Sequence, residues 1–105
     1  MDALDHLESV IAARLHGDPA TSYVAKLHAR GTAKIAQKVG EEAVECVIAA
    51  CRDERDGLIG EAADLLFHLL VLLGDRGITL DEVRAELARR DGLSGIAEKA
   101  ARPEE

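Results

Sequence analysis

The 105-residue sequence predicts an all-α protein, a single domain over residues 1–105 built as a bundle of about five helices. Three observations lead there. Apolar residues recur at helical spacing between glycines and capping residues. No segment alternates with period two for long enough to make a strand. The core must also be built from Leu, Val, Ile and Ala, since Tyr23 and Phe67 are the only aromatic residues.

The first helix fits Asp2 to His16, where Leu4, Leu7, Val10, Ile11 and Leu15 share a stripe. Gly17 and Pro19 close it. Ser22 caps a short second helix that stops before Gly31. A long third helix follows Thr32 and runs to about Arg52. The charged segment Asp53-Glu54-Arg55-Asp56-Gly57 reads as a turn. The fourth helix runs from Leu58 to Leu73 and ends in the Gly74–Gly77 segment. Thr79 and Glu82 form a capping box for a fifth helix reaching Arg90. Ser94 begins a last short helix, before a tail at Pro103.

With 48% hydrophobic and 31% charged residues, a core is expected rather than disorder. The net charge of −7 argues against a protein that grips nucleic acid or an anionic membrane by charge. The shortage of aromatics argues against a single-strand-binding surface. Cys46 and Cys51 belong to no CxxC pattern, so no structural zinc is indicated. On one helix they lie about 140° apart, too far around the axis to bridge. Both read as small core residues, in a reducing compartment. The N-terminus lacks the basic start and apolar stretch of a signal peptide, and the run Leu69–Leu73 is far short of a membrane span. A cytoplasmic location is expected.

From Ala62 to Leu73 only Asp64 and His68 are polar. A helix apolar nearly all round must be covered on nearly all sides, which predicts a homodimer or larger homo-oligomer. His68 lies on the face of Glu61 and Asp64, where it could ligate a metal, but reads first as a hydrogen-bonded core histidine. His6, His16 and His28 read as surface residues.

Two acidic clusters carry the chemistry: Glu41-Glu42-x-x-Glu45 and Glu61-x-x-Asp64. On a wheel of about 100° per residue, Glu41, Glu42 and Glu45 fall within about 100° of one another. Glu61 and Asp64, three apart, share a face. Glu42 and Asp64 are centred on position 53, and so are Glu45 and Glu61. An antiparallel hairpin about that turn sets four carboxylates level. Such a group repels itself unless a cation sits among it, and an oxygen-only donor set suits Mg²⁺ or Mn²⁺. Lys34 and Lys38 extend the same stripe. Lys38 has Glu42 at i+4, but in the weaker orientation, and Lys34 opposes the helix dipole. Cations so placed beside a metal cradle suit a polyphosphate ligand. Gly40 fits either a close ligand approach or a crossing helix.

The stretches KIAQKVGEEAVECVIAA and EAADLLFHLLVLL resemble the phosphoribosyl-ATP pyrophosphatase family, within the all-α nucleoside triphosphate pyrophosphatases related to MazG. Ser22-Tyr23, Lys26-Leu27 and ELARRDGLSGIAEKAAR fit this family in particular. The resemblance covers about residues 20 to 102. It departs at Asp91, where a histidine is expected.

The resemblance implies a MazG-like bundle, the second step of histidine biosynthesis, Mg²⁺ dependence, and an assembly with sites near subunit contacts. The lack of a zinc-type cysteine set suits the stand-alone form. On this basis Glu42, Glu45, Glu61 and Asp64 are expected to hold the metal. Glu41 is expected to hold a second ion or orient water. Lys34 and Lys38 are expected to meet phosphate. Lys99 and Arg102 are candidates for a phosphate or ribose across a subunit boundary. Two alternatives stay open: a house-cleaning nucleoside triphosphate pyrophosphatase, and a non-enzymatic helical assembly domain.

Overall fold

A computed structural model describes residues 2–91 and residue 102. Within them the chain is helical throughout: α1 (Ala3–Arg14), α2 (Tyr23–Arg30), α3 (Thr32–Cys51), α4 (Arg55–Asp75) and α5 (Leu80–Arg90). The helix expected from Ser94, and Lys99, lie outside the described residues.

Local chemistry sets the helix boundaries. The Asp2 and Asp5 side chains close a capping box on α1, Ser22 Oγ accepts from the Ala25 amide to start α2, and Thr79 with Glu82 starts α5. Gly31, at φ 96°, turns the chain directly from α2 into α3. The α3–α4 turn is shorter than its composition suggested. Arg55, Asp56 and Gly57 are helical, because the Glu54 carbonyl already accepts the Leu58 amide and Asp56 suits the positive end of a helix. Asp53 alone takes a left-handed conformation, at φ 54°. α4 also continues through Gly74 to Asp75, two residues past Leu73.

α3 and α4 pack side by side as an antiparallel hairpin, the main contact of the fold. α1 and α2 cover only one end of it. There Ile11, Leu15, Val24, Leu27, Ile35, Leu70 and Val71 form the core, with Ile35 and Val71 fully buried. Each such side chain contributes about 1.5–3 kcal/mol by leaving water. α5 buries no residue. It docks on α1 through Arg84, bonded to Asp5 at 2.8 Å, and through Glu8, which accepts the Leu80 amide at 2.6 Å.

The other end of the hairpin is bare. Val44, Val47, Ile59 and Leu66 are exposed by 57%, 60%, 56% and 43%, so among the described residues no other helix covers this end of α3 and α4. By length and composition α4 is also long and apolar enough to cross a membrane, at mean hydropathy 1.7, which the run Leu69–Leu73 understates. It nonetheless carries Glu61 and Asp64 against the acidic stretch of α3.

Two minor expectations change. His28 is not a free surface residue: its Nδ1 meets Asp75 at 2.7 Å and its ring meets His16 edge-on. Cys51 is exposed rather than in the core, because it ends α3 beyond the packed region.

Candidate active site

The hairpin brings Glu42 of α3 together with Glu61 and Asp64 of α4. One carboxylate oxygen from each lies within 4.8 Å of the other two. Glu42 and Glu61 are half-buried and Asp64 is exposed. The charges strain against one another. Burial first, then the charges of Glu45, Asp64 and Glu42 and a hydrogen bond with the Glu42 carboxyl, pushes the Glu61 carboxyl above the ordinary glutamate range. Glu45 therefore sits near enough to act on Glu61, though it is exposed and outside the group of three.

Glu41 turns away. Its carboxylate accepts from the Gln37 amide at 3.0 Å and pairs with Lys38 at 3.4 Å. Those two hydrogen bonds, in that order, hold its carboxyl below the usual range. Lys38 thus pairs with Glu41 at i+3 rather than with Glu42 at i+4. The Glu41 hydrogen bond, followed by the influence of Tyr23, Glu41 and Glu42, raises the Lys38 ammonium. Lys34, half-buried, lies close enough to Glu41 to lower its carboxyl further. A cationic edge of Lys34 and Lys38 therefore borders the anionic group.

His68 is the hydrogen-bonded core histidine that the sequence predicts, but its partner Tyr23 and the acidic surroundings of Cys46 were not foreseen. His68 is 6% exposed, and its Nδ1 lies 2.8 Å from the Asp64 carbonyl. A carbonyl only accepts, so the hydrogen is assigned to Nδ1. Nε2 then accepts from the Tyr23 hydroxyl at 2.9 Å and has no lone pair left for a metal. The i,i+4 spacing of Asp64 and His68 carried half of this arrangement; nothing in the sequence linked Tyr23 to it. Cys46 also lies beside the acids. Burial first, then Glu61, Glu42 and Asp64, pushes its thiol up. Gly40 meets nothing: a Cβ built there has no neighbour within 4 Å, so no helix among the described residues crosses it. Arg102 is exposed.

Clustered carboxylate oxygens flanked by lysines could hold a hard cation and a phosphate chain. Comparison with known proteins identifies the family. Residues 4–91 match the family described as phosphoribosyl-ATP pyrophosphohydrolase. A phosphoribosyl-ATP pyrophosphatase of Rhizorhabdus wittichii is 66% identical over 100 residues, covering 95% of this chain and 94% of its own. Proteins of the same name from Novosphingobium aromaticivorans (62% over 101 residues, 96% and 94% covered) and Zymomonas mobilis (60% over 102 residues, 97% and 95% covered) are similar. With its acidic hairpin and near-complete coverage, the chain belongs to the phosphoribosyl-ATP pyrophosphohydrolase family.

Proposed function

We propose that the chain hydrolyses phosphoribosyl-ATP to phosphoribosyl-AMP and pyrophosphate, a step of histidine biosynthesis, with Mg²⁺ or Mn²⁺ as cofactor. The observation that carries this reading is the meeting of Glu42, Glu61 and Asp64 oxygens within 4.8 Å. The donor set fits a divalent cation: all oxygens, close enough to share an ion, with Glu61 held above its ordinary range by its neighbours. Glu42, Glu61 and Asp64 would hold the ion, with Glu45 beside Glu61 completing the set. When bound, the cation supplies polarisation of a phosphoryl oxygen and a more acidic water.

The chain's own residues do the rest. Lys38 and Lys34 offset charge that builds on the leaving pyrophosphate. Glu41 holds Lys38 in place at 3.4 Å and would hold a second ion or orient the attacking water. An acidic chain is a poor electrostatic match for a polyphosphate, so the lysine edge and the cation provide the attraction. The uncovered stripe of Val44, Val47, Ile59 and Leu66 suits a homodimer or larger assembly, in the cytoplasm where a nucleotide pathway operates.

The test is pyrophosphate release from phosphoribosyl-ATP, with dCTP, dUTP and ITP as competing substrates. Asp64→Asn and Glu45→Gln should each lower turnover by more than about a hundredfold, since loss of a mere supporting partner of a metal site already costs about 10–100-fold. Circular dichroism should remain helical. Near-normal turnover in both variants removes the assignment, and preference for dCTP, dUTP or ITP replaces the substrate. Sedimentation of the wild type as a monomer removes the assembly.

A further inference from the structure

Tyr23 is the chain's only tyrosine, in a sequence with one phenylalanine and no tryptophan. Its hydroxyl is fixed on His68 Nε2 at 2.9 Å, and His68 is fixed in turn on the Asp64 carbonyl at 2.8 Å. The ring stacks on Phe67 with an offset, nearly parallel at 17° with centroids 6.0 Å apart. Yet Tyr23 remains 48% exposed. The ring also meets His68 edge-on, with centroids 5.8 Å apart, and the rest of it is left open to solvent. A flat apolar surface is thus immobilised from inside and offered to solvent. One imidazole and two hydrogen bonds separate it from Asp64.

Beside it lies a cleft of about 470 Å³ at the corner between α1 and α2, within the range of small-ligand sites. Tyr23 forms part of its wall, with Arg14, Asp18, Thr21 and Ser22. Local hydrogen bonds set two of these: Asp18 accepts the Ala20 amide at 2.9 Å and Ser22 accepts the Ala25 amide at 3.2 Å. The carboxylates and lysines account for a phosphate chain, but they offer nothing flat or apolar to a base.

We infer that the open face of Tyr23 is the stacking platform for the purine of the substrate, with the adjoining cleft receiving the nucleoside end. The inference deepens the phosphoribosyl-ATP reading and rests on it. Phe67 backs the tyrosine so that base, Tyr23 and Phe67 form one stack. His68 sets the ring's angle relative to Asp64. Stacking one base on an aromatic ring corresponds to about a 5- to 150-fold change in affinity.

Because the chain has one tyrosine and no tryptophan, its tyrosine emission reports Tyr23 alone. Titration of the wild type with AMP should quench that emission, with N-acetyltyrosinamide as the inner-filter control. Pyrophosphate and ribose 5-phosphate should not quench it. In turnover, Tyr23→Leu should raise KM for phosphoribosyl-ATP about tenfold or more with kcat changed less than about threefold. Tyr23→Phe, which keeps the ring and loses the His68 bond, should raise KM less than Tyr23→Leu. Circular dichroism checks that both variants fold. Absence of AMP quenching, or a Tyr23→Leu KM equal to that of the wild type, overturns the inference. A wild type that quenches with AMP yet leaves phosphoribosyl-ATP intact sinks the substrate reading and leaves the platform standing.

Discussion

Glu42 and Asp64 reach toward each other from facing helices, with carboxylate oxygens within 4.8 Å and Glu61 as the third member. Neither side chain has a cation of this chain as a close partner among the salt bridges of the described residues, so the hairpin folds against its own charge. The raised Glu61 carboxyl records that opposition. A carboxyl raised in the folded state contributes stability that is present below its unfolded value and is lost as pH rises through the folded one.

The metal-free wild type should therefore lose stability relative to Glu61→Gln as pH climbs from the ordinary glutamate range toward neutrality. Mg²⁺ should reverse the loss at neutral pH and have little effect in acid, where the carboxyls are protonated. Thermal melts of both proteins across pH, with and without Mg²⁺, measure this. Parallel curves for the two proteins would contradict it.

Asp75 has the opposite sign. Its nearly buried carboxylate accepts from Thr32 Oγ1 at 2.6 Å and meets His28 Nδ1 at 2.7 Å. The Thr32 bond first, and then His28, hold it below the ordinary aspartate range against the effect of burial. Its stability is present above the unfolded value and lost as pH falls through the depressed one. Asp75→Ala should cost about 2 kcal/mol at neutral pH, and the gap to wild type should narrow in strong acid. Urea melts at both pH values test this.

Gly40 sits inside α3 with open space around it. Gly40→Ala should stabilise the chain by about 0.5–1 kcal/mol in denaturant melts. If pyrophosphate release falls while stability rises, Gly40 leaves room for the ligand. If both are retained, it does not.

The two cysteines should separate chemically. Cys51 is exposed, while Cys46 is half-buried beside the acids that disfavour its thiolate. A maleimide should label Cys51 well before Cys46, as followed by peptide mass. Equal labelling rates would place Cys46 elsewhere.

Much of the fold was legible because the signals were local. Ser22 and Thr79 marked helix starts through their own hydroxyls, and the spacing of Glu42, Glu45, Glu61 and Asp64 about position 53 implied a level hairpin. What stayed hidden depended on distant or three-dimensional partners. Glu41 shares the helix face of Glu42, but Gln37 and Lys38 draw it away. His28 looked like a surface residue because Asp75 is 47 positions along the chain. Tyr23 and His68, 45 apart, meet only once α2 has folded onto α4. α4 starts earlier than its composition suggests, because Arg55, Asp56 and Gly57 carry turn-like composition while the Glu54 carbonyl supplies the backbone acceptor.

The turn centred on Asp53 ties chain length to chemistry. A helix advances about 100° per residue, so removing a single residue between Glu45 and Arg52 swings Glu42 and Glu45 more than a quarter circle away from Glu61 and Asp64. The helices, the hydrophobic content and every acidic side chain would survive such a deletion; only their convergence would be lost. A change of length that keeps the acids together therefore belongs outside this span, as in the Gly17–Thr21 connection, where an added residue shifts no phase between α3 and α4.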